Sequence, residues 1–325
     1  MAARGEPVAI GPAAATGNGL RHQHLAIAGM VAALAVAPLV LYPVFLMKVL
    51  CFALFACAFN LLIGYVGLLS FGHAAFFGTA AYAAGHAAKV WGFPSELTVP
   101  FATACSALLG LVFGWLAIRR QGIYFAMITL ALAQMLYFFY LQAPFTGGED
   151  GIQAIPRGRL LGVLDLSHDL VMYGVVLAVF LAGFLLIYRT IHSPFGQVLK
   201  AIRENEPRAI SLGYEVDRYK LLAFVLSAAL SGLAGGTKAI VFQLASLTDV
   251  HWTMSGEVVL MALVGGLGTV FGPIVGAAVI VSLQNYLAGL GHWVTIVQGL
   301  IFVACVLAFR RGIVGELGRL LGKPL

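Results

Sequence analysis

Residues 98–142 read TVPFATACSALLGLVFGWLAIRRQGIYFAMITLALAQMLYFFYLQ. Two apolar runs, 98–118 and 122–142, flank the charged turn Arg119-Arg120-Gln121. Each run has the length of a bilayer-spanning helix, which needs about 20 predominantly apolar residues. A charge near the bilayer centre costs about 2.5–3.5 kcal/mol on insertion scales, so the arginine pair belongs in water between two spans. Apolar runs of this length, separated by charges or by Gly/Pro clusters, continue outward in both directions and set the fold class.

Cutting the chain at charges and at Gly/Pro clusters predicts spans over 25–47, 49–66, 70–88, 98–118, 122–142, 170–190, 219–240, 255–270, 273–291 and 293–309. The expectation is an all-α, polytopic transmembrane helical bundle of about ten spans, with the pieces in 255–291 short enough to be broken or re-entrant helices. With the N-terminus inside and the spans alternating, the inside segments hold 14 of the 19 basic residues, among them Arg119, Arg120, Lys200, Arg203, Arg208, Arg218 and Lys220. Lys48, Lys89, Arg157, Arg159 and Lys238 fall outside. This asymmetry follows the positive-inside rule and predicts an N-in/C-in topology.

Composition agrees. Hydrophobic residues make up 61% of the chain and charged residues 10%, against about 25% charged in a soluble domain. Mean hydropathy is +0.97. The partner implied is the lipid bilayer. The net charge of +6 is a topology signal and not a nucleic-acid surface, since no exposed aromatics interleave the basic residues. One membrane domain is expected over 25–310, with a flexible tail over 1–24, a cytoplasmic loop over 191–218 and a second tail over 311–325. Ala35-Val36-Ala37 resembles a cleavage site, but the apolar stretch that holds it, Leu25 to Met47, exceeds the about 7–15 residues of a signal h-region, so an uncleaved span is predicted.

Catalytic chemistry is not legible. Cys51, Cys57, Cys105 and Cys305 each lie in an apolar run without a CxxC partner and read as small buried hydrophobes, so no metal site is expected. There is no GxxxxGK[ST], HExxH or GxSxG, and residues 266–271 miss GxGxxG at the last position. The chain is therefore read as not an enzyme and as holding no cofactor; ATP, if transport needs it, is hydrolysed by another chain.

Two apolar segments are interrupted by glycine: Gly64-Tyr-Val-Gly-Leu-Leu-Ser-Phe-Gly-His73 and Gly265-Gly-Leu-Gly-Thr-Val-Phe-Gly-Pro273. Paired interruptions in the two halves of a transporter point to a binding site at a repeat interface, with tight packing as the other reading. Gly67, Ser70, His73, Gly266 and Gly268 are candidate substrate-pathway residues on that ground, joined by the intramembrane Glu257; a buried structural histidine is the alternative for His73. Lys238 qualifies in the same way, less specifically. On the predicted outside, Thr146, Gly147, Gly148 and Asp150 are candidates for an outer mouth, or form a plain turn.

The inside loop carries the most specific text. In residues 193–224, Val198, Ile202, Ala209, Leu212 and Val216 have helical spacing, and Pro207 falls where a second helical piece can start. Arg203, Glu204 and Glu206 would point away from this apolar stripe. A charged amphipathic helix pair of this kind can dock in a partner's groove, or lie solvated.

Glu206-x-x-Ala209-x-x-x-Gly213 resembles the EAA loop of ABC importer permeases. Ser193-Pro-Phe-Gly, Ala201-Ile-Arg-Glu-Asn-Glu, Tyr219-Lys-Leu-Leu-Ala-Phe, Gly67-Leu-Leu-Ser-Phe-Gly-His-Ala-Ala-Phe-Phe-Gly, Thr146-Gly-Gly-x-Asp-Gly-Ile and Gly265-Gly-Leu-Gly-Thr-Val-Phe-Gly-Pro match permeases of the branched-chain amino acid class, LivM type. The resemblance covers roughly residues 30–310 in order. One departure is Pro207-Arg208, where the EAA pattern has two alanines. The resemblance implies a cytoplasmic EAA-like coupling helix in which Arg203, Glu204, Glu206, Ala209 and Gly213 meet an ATPase. It further implies a second, LivH-like permease, two ATPase subunits, a periplasmic substrate-binding protein and the bacterial inner membrane. The implied cargo is leucine, isoleucine or valine, with urea or short amides as the alternative within the family. An ion-coupled carrier is the competing class, disfavoured by the lack of a ladder of buried carboxylates.

Overall fold

The computed structural model describes residues 17–160, 164–287, 289, 293–308 and 312–320. The helices are α1 (Gly17–Val36), α2 (Pro43–Asn60, prolonged by a π-helical turn over Leu61–Val66), α3 (His73–Lys89), α4 (Ser95–Ala117) and α5 (Ile123–Gln142). Then come α6 (Asp169–His192), α7 (Pro194–Glu204), α8 (Glu206–Ser211) and α9 (Val216–Phe242). The last are α10 (Trp252–Gly265), α11 (Gly272–Leu287), α12 (Trp293–Ala308) and α13 (Gly312–Leu320). Two short antiparallel ladders tie loops together, Ile152–Gln153 with Leu244–Ala245 and Arg159–Leu160 with Leu164–Asp165.

Among the described residues, five helices are long and apolar enough to cross a membrane: Pro43–Val66, Ser95–Ala117, Ile123–Gln142, Asp169–His192 and Val216–Phe242. The chain is an all-α, multi-helix membrane protein. α2 is the central element. Its residues from Leu50 to Leu62 are all buried, and it packs against α6, α9, α10 and α11. α9 is the second axis and lies against α3 and α4. Small residues permit that approach: a Cβ on Gly235 would strike the Phe77 carbonyl, and one on Gly232 would strike Ser106. Ser106 Oγ in turn donates to the Ala228 carbonyl at 2.7 Å. The outer faces of α4 and α5 expose Leu108, Leu111, Trp115, Ile123, Met127 and Phe138, as a lipid-facing surface would.

Several sequence expectations change. The predicted span 25–47 is broken: α1 ends at Val36, Ala37–Leu39 form a 3-10 turn, and α2 begins at Pro43. Pro38 and Pro43 cause this, since each lacks an amide and Pro43 holds Tyr42 extended (ψ 126°). α1 begins at Gly17, inside the stretch read as a tail, while residues 1–16 lie outside the described residues. Among the described residues, the stretch 255–291 holds two short helices; α10 rises about 21 Å and α11 about 24 Å at 1.5 Å per residue, less than the about 30 Å hydrocarbon core. The stretch 311–325, read as a tail, contains helix α13, packed on α10 and α11; Arg311 and residues 321–325 lie outside the described residues, as does the Cys305 side chain.

Candidate coupling surface and substrate pathway

α7 and α8 form at one end of the bundle. Ser193 caps α7, its Oγ accepting from the Gly196 amide, and Pro194 starts it. Asn205 ends α7 and caps α8 through the Arg208 amide, with Pro207 in the first turn. The pair is stapled to the bundle by Ile202, Ala209 and Val216, with Val198 and Tyr219 beside them. Four of the five stripe residues thus pack as the spacing predicts. Leu212 does not: it is 68% exposed, because it is the residue after α8 and has left helical phase (φ −82°, ψ 0°).

α8 closes with a Schellman turn. The Tyr214 amide donates to Ala209 O at 3.2 Å and the Gly213 amide to Ile210 O at 2.9 Å. Gly213 has φ +87° and open space at its Cβ position, so glycine is required here by the backbone and not by crowding.

Glu206 was expected to face away from the stripe. Instead its Oε1 accepts from Lys220 Nζ at 2.7 Å and from Gln121 Nε2 at 2.8 Å. Lys220 is 2% exposed, so this pair locks α8 onto α9 and the α4–α5 turn. Glu204 remains exposed, as do Arg208, Ile210 and Leu212. Nearby, Lys200 lies over the Tyr65 ring at 5.7 Å, and burial pulls its pKa below the usual lysine value.

Arg203 is exposed as well, but its tip reaches back to the bundle. Its Nη1 donates to Gly64 O in the π-helical turn of α2. A Cβ on Gly67 would lie 3.2 Å from Arg203 Cγ, and one on Gly268 would lie 3.3 Å from Arg203 Nη1. The two glycine breaks therefore meet at one side chain. Asn60 joins them as well: its Oδ1 accepts from the Gly268 amide at 2.9 Å and its Nδ2 donates to Thr269 O at 3.0 Å. Gly266, at φ +125°, packs against Gly312 at the start of α13.

Ser70 and His73 lie deeper. Between Gly67 and His73 the chain runs without helix into the core, and hydroxyls take up its amides. Phe71 N donates to Thr129 Oγ1 (3.2 Å), Gly72 N to Ser70 Oγ (3.1 Å) and Ala74 N to Ser255 Oγ (2.9 Å). His73 is fully buried. Its Nε2 meets Ser227 Oγ at 2.9 Å, and Phe59, Phe76 and Phe224 present rings edge-on around it. Ser227 is eleven residues into α9, about 16 Å from its start. Glu257 is apart from both breaks, half-buried on α10, with Oε2 accepting from Gln284 Nε2 at 3.0 Å.

At the opposite end, Thr146 is fully buried, its Oγ1 donating to Tyr140 O (2.6 Å) and Ala143 O (2.7 Å). Gly147 and Gly148 have positive φ, and Asp150 is exposed. Thr146 also lines a cavity of about 440 Å³ between α3, α4 and α5, with Tyr82, His86, Trp91, Phe101 and Tyr140 on its walls. Lys238 is held by Asp249 at 2.7 Å, both largely buried, an ion pair that fixes the loop 244–251 to α9.

Sequence reasoning missed Asn60, Lys220, Thr129, Ser255 and Ser227. The signal for Asn60 was available: a lone amide inside the apolar run 49–66 needs a partner.

A model of the family described as the branched-chain amino acid transport system / permease component matches residues 41–306. The chain belongs to this permease family. It is 27% identical over 263 residues to the high-affinity branched-chain amino acid transport system permease protein LivM of Salmonella typhimurium, and equally to that of Escherichia coli. The matched stretch covers 74% of this permease and 62% of each LivM relative. The ribose import permease protein RbsC of Bacillus subtilis is 30% identical over 196 residues, 55% of this chain and 58% of the relative. No solved structure matches this permease.

Proposed function

We propose that this chain is the transmembrane permease subunit of an ABC importer, moving branched-chain amino acids into the cytoplasm by alternating access driven by separate ATPase subunits. The observation that carries the proposal is the α7–α8 pair, which presents Glu204, Arg208, Ile210 and Leu212 outward from a base fixed by the Glu206–Lys220 ion pair. A charged rim around exposed apolar side chains is what a groove on a partner would take. The excess of basic residues in this loop supports a cytoplasmic position for this end. A second permease, two ATPases and a periplasmic binding protein complete the assembly in the inner membrane. A zwitterionic cargo needs few polar groups along the pathway when the binding protein supplies selection.

Glu204 and Gly213 are assigned to the ATPase contact, with Glu206 and Ala209 holding the helices in place. Gly213→Glu is the test. It forces a side chain into the left-handed region, at about 1–2 kcal/mol, and sets a charge on the docking face with no clash in the core. Uptake of labelled leucine should be abolished while membrane insertion stays intact; normal uptake sinks the assignment. A second reading of the cargo, a sugar, is favoured by the 30% identity to the ribose permease. Uptake of labelled leucine measured against uptake of labelled ribose separates the two.

A further inference from the structure

Arg203 sits in the last turn of α7, within the loop assigned to the ATPase, and is exposed, yet its guanidinium reaches back to Gly64 O on the bundle. Gly64 O, which it contacts, belongs to the last turn of the α2 helix. Such terminal carbonyls lack helical partners, and the helix dipole favours a cation beside them. The stem of Arg203 runs along Gly67, and its Nη1 faces the Cα of Gly268. Any side chain at either glycine would crowd the arginine. Asn60 then fastens the same end of α2 to the α10–α11 turn through Gly268 N and Thr269 O. α7 therefore has one polar tie that reaches both glycine breaks together, and Gly64 and Gly268 approach so closely that a Cβ on Gly64 would lie 2.8 Å from the Gly268 amide nitrogen.

We propose that Arg203 is a positioning residue for transport: it ties the α7–α8 loop to the end of α2 and, through Asn60, to the α10–α11 turn, so that displacement of the loop moves both breaks. The assignment rests on the ABC permease reading and takes Arg203 out of the ATPase contact where the sequence had put it. Arginine suits the role because its planar fork keeps a fixed geometry on a carbonyl, where lysine offers a mobile point charge. Loss of this tie uncouples the ends of the chain without touching the other exposed residues, Glu204, Arg208, Ile210 and Leu212.

The experiment uses the complete importer in liposomes, with ATPases and binding protein, comparing wild type, Arg203→Gln, Arg203→Lys and Gly268→Ala. Three quantities are read: ATPase subunits retained on purification, binding-protein-stimulated ATP hydrolysis, and substrate imported per ATP. Arg203→Gln should retain the ATPases and hydrolyse ATP within about twofold of wild type, while import per ATP falls about tenfold, inside the usual range of site-to-site coupling. Arg203→Lys should recover part of the loss, and Gly268→Ala, which crowds the guanidinium and leaves α7 unaltered, should reproduce it. Loss of the ATPases from Arg203→Gln would make Arg203 a docking contact and overturn the proposal while leaving the ABC reading intact. Unchanged import per ATP in both Arg203→Gln and Gly268→Ala would overturn it as well. If Arg203→Gln does not reach the membrane, Gly268→Ala and Arg203→Lys decide by the same readings. Absence of ATPases from the wild-type preparation would instead refute the ABC reading.

Discussion

Gly67–Gly72 carries the chain without helix into the middle of the bundle, where hydroxyls from α5 and α10 and from its own Ser70 receive the amides. Gly266–Phe271 stays at the end of the bundle, where one amide side chain from α2 holds it and α13 closes against it. Both are glycine-rich interruptions of an apolar run, and both solve the rule that exposed backbone cannot face lipid. The first does so with several separate hydrogen bonds spread over depth. The second depends on Asn60, on its own Thr269 hydroxyl, which donates to Gly266 O and accepts from Gly272 N, and on backbone at Gly265 and Gly272 packed too closely for a Cβ. The inner part of the first break, from Ser70 to Ala74, is a fixed bend. Its outer end at Gly64–Gly67, held by Arg203, and the second break, joined to that end by Asn60, are placed to move.

The sharpest test of this contrast is Gly265→Ala. Its Cβ would land on the Gly272 carbonyl, which is backbone and cannot rotate away. Overpacking of this kind should cost about 3 kcal/mol or more, seen as lost yield and lowered Tm in detergent; Gly174→Ala in α6, with open space at its Cβ position, is the control and should change little. Asn60→Ala comes next. It leaves the Gly268 amide and Thr269 carbonyl without their partner, each about 1–3 kcal/mol if buried from water, and should lower Tm clearly. Ser255→Ala orphans a single amide, that of Ala74, and should cost about half as much by the same measurement. A larger loss for Ser255→Ala than for Asn60→Ala would reverse the comparison. Gly67→Ala should be smallest, about 1–2 kcal/mol for its left-handed backbone at φ +83°, with Arg203 yielding a few tenths of an ångström.

Charge and proline punctuation made most of the helices legible. Arg119-Arg120 separates α4 from α5, and Ser193-Pro194 and Asn205 start α7 and α8 by local capping chemistry that needs no tertiary context. The break near Pro38 was hidden because apolar residues continue on both sides of it. Of the site, the presence of the two breaks was readable, but not that they meet, since Asn60 and Gly268 are 208 residues apart. Glu206 misled for a geometric reason: it is the first residue of a six-residue helix, where a 3.6-residue period cannot assign a face, and its partner Lys220 lies on another element. Leu212 misled at the other end of that helix, where the backbone had already left helical phase.

An ABC permease works only as one part of an ATP-driven assembly. The direct measurement is purification of the tagged chain from its native membrane under mild solubilisation, with identification of what accompanies it. A second permease and ATPase chains are predicted, with their yield falling when Ile210 and Leu212 are both changed to Asp. A homogeneous complex of this chain alone, transporting in liposomes without ATP, would contradict the account and make the protein a secondary carrier.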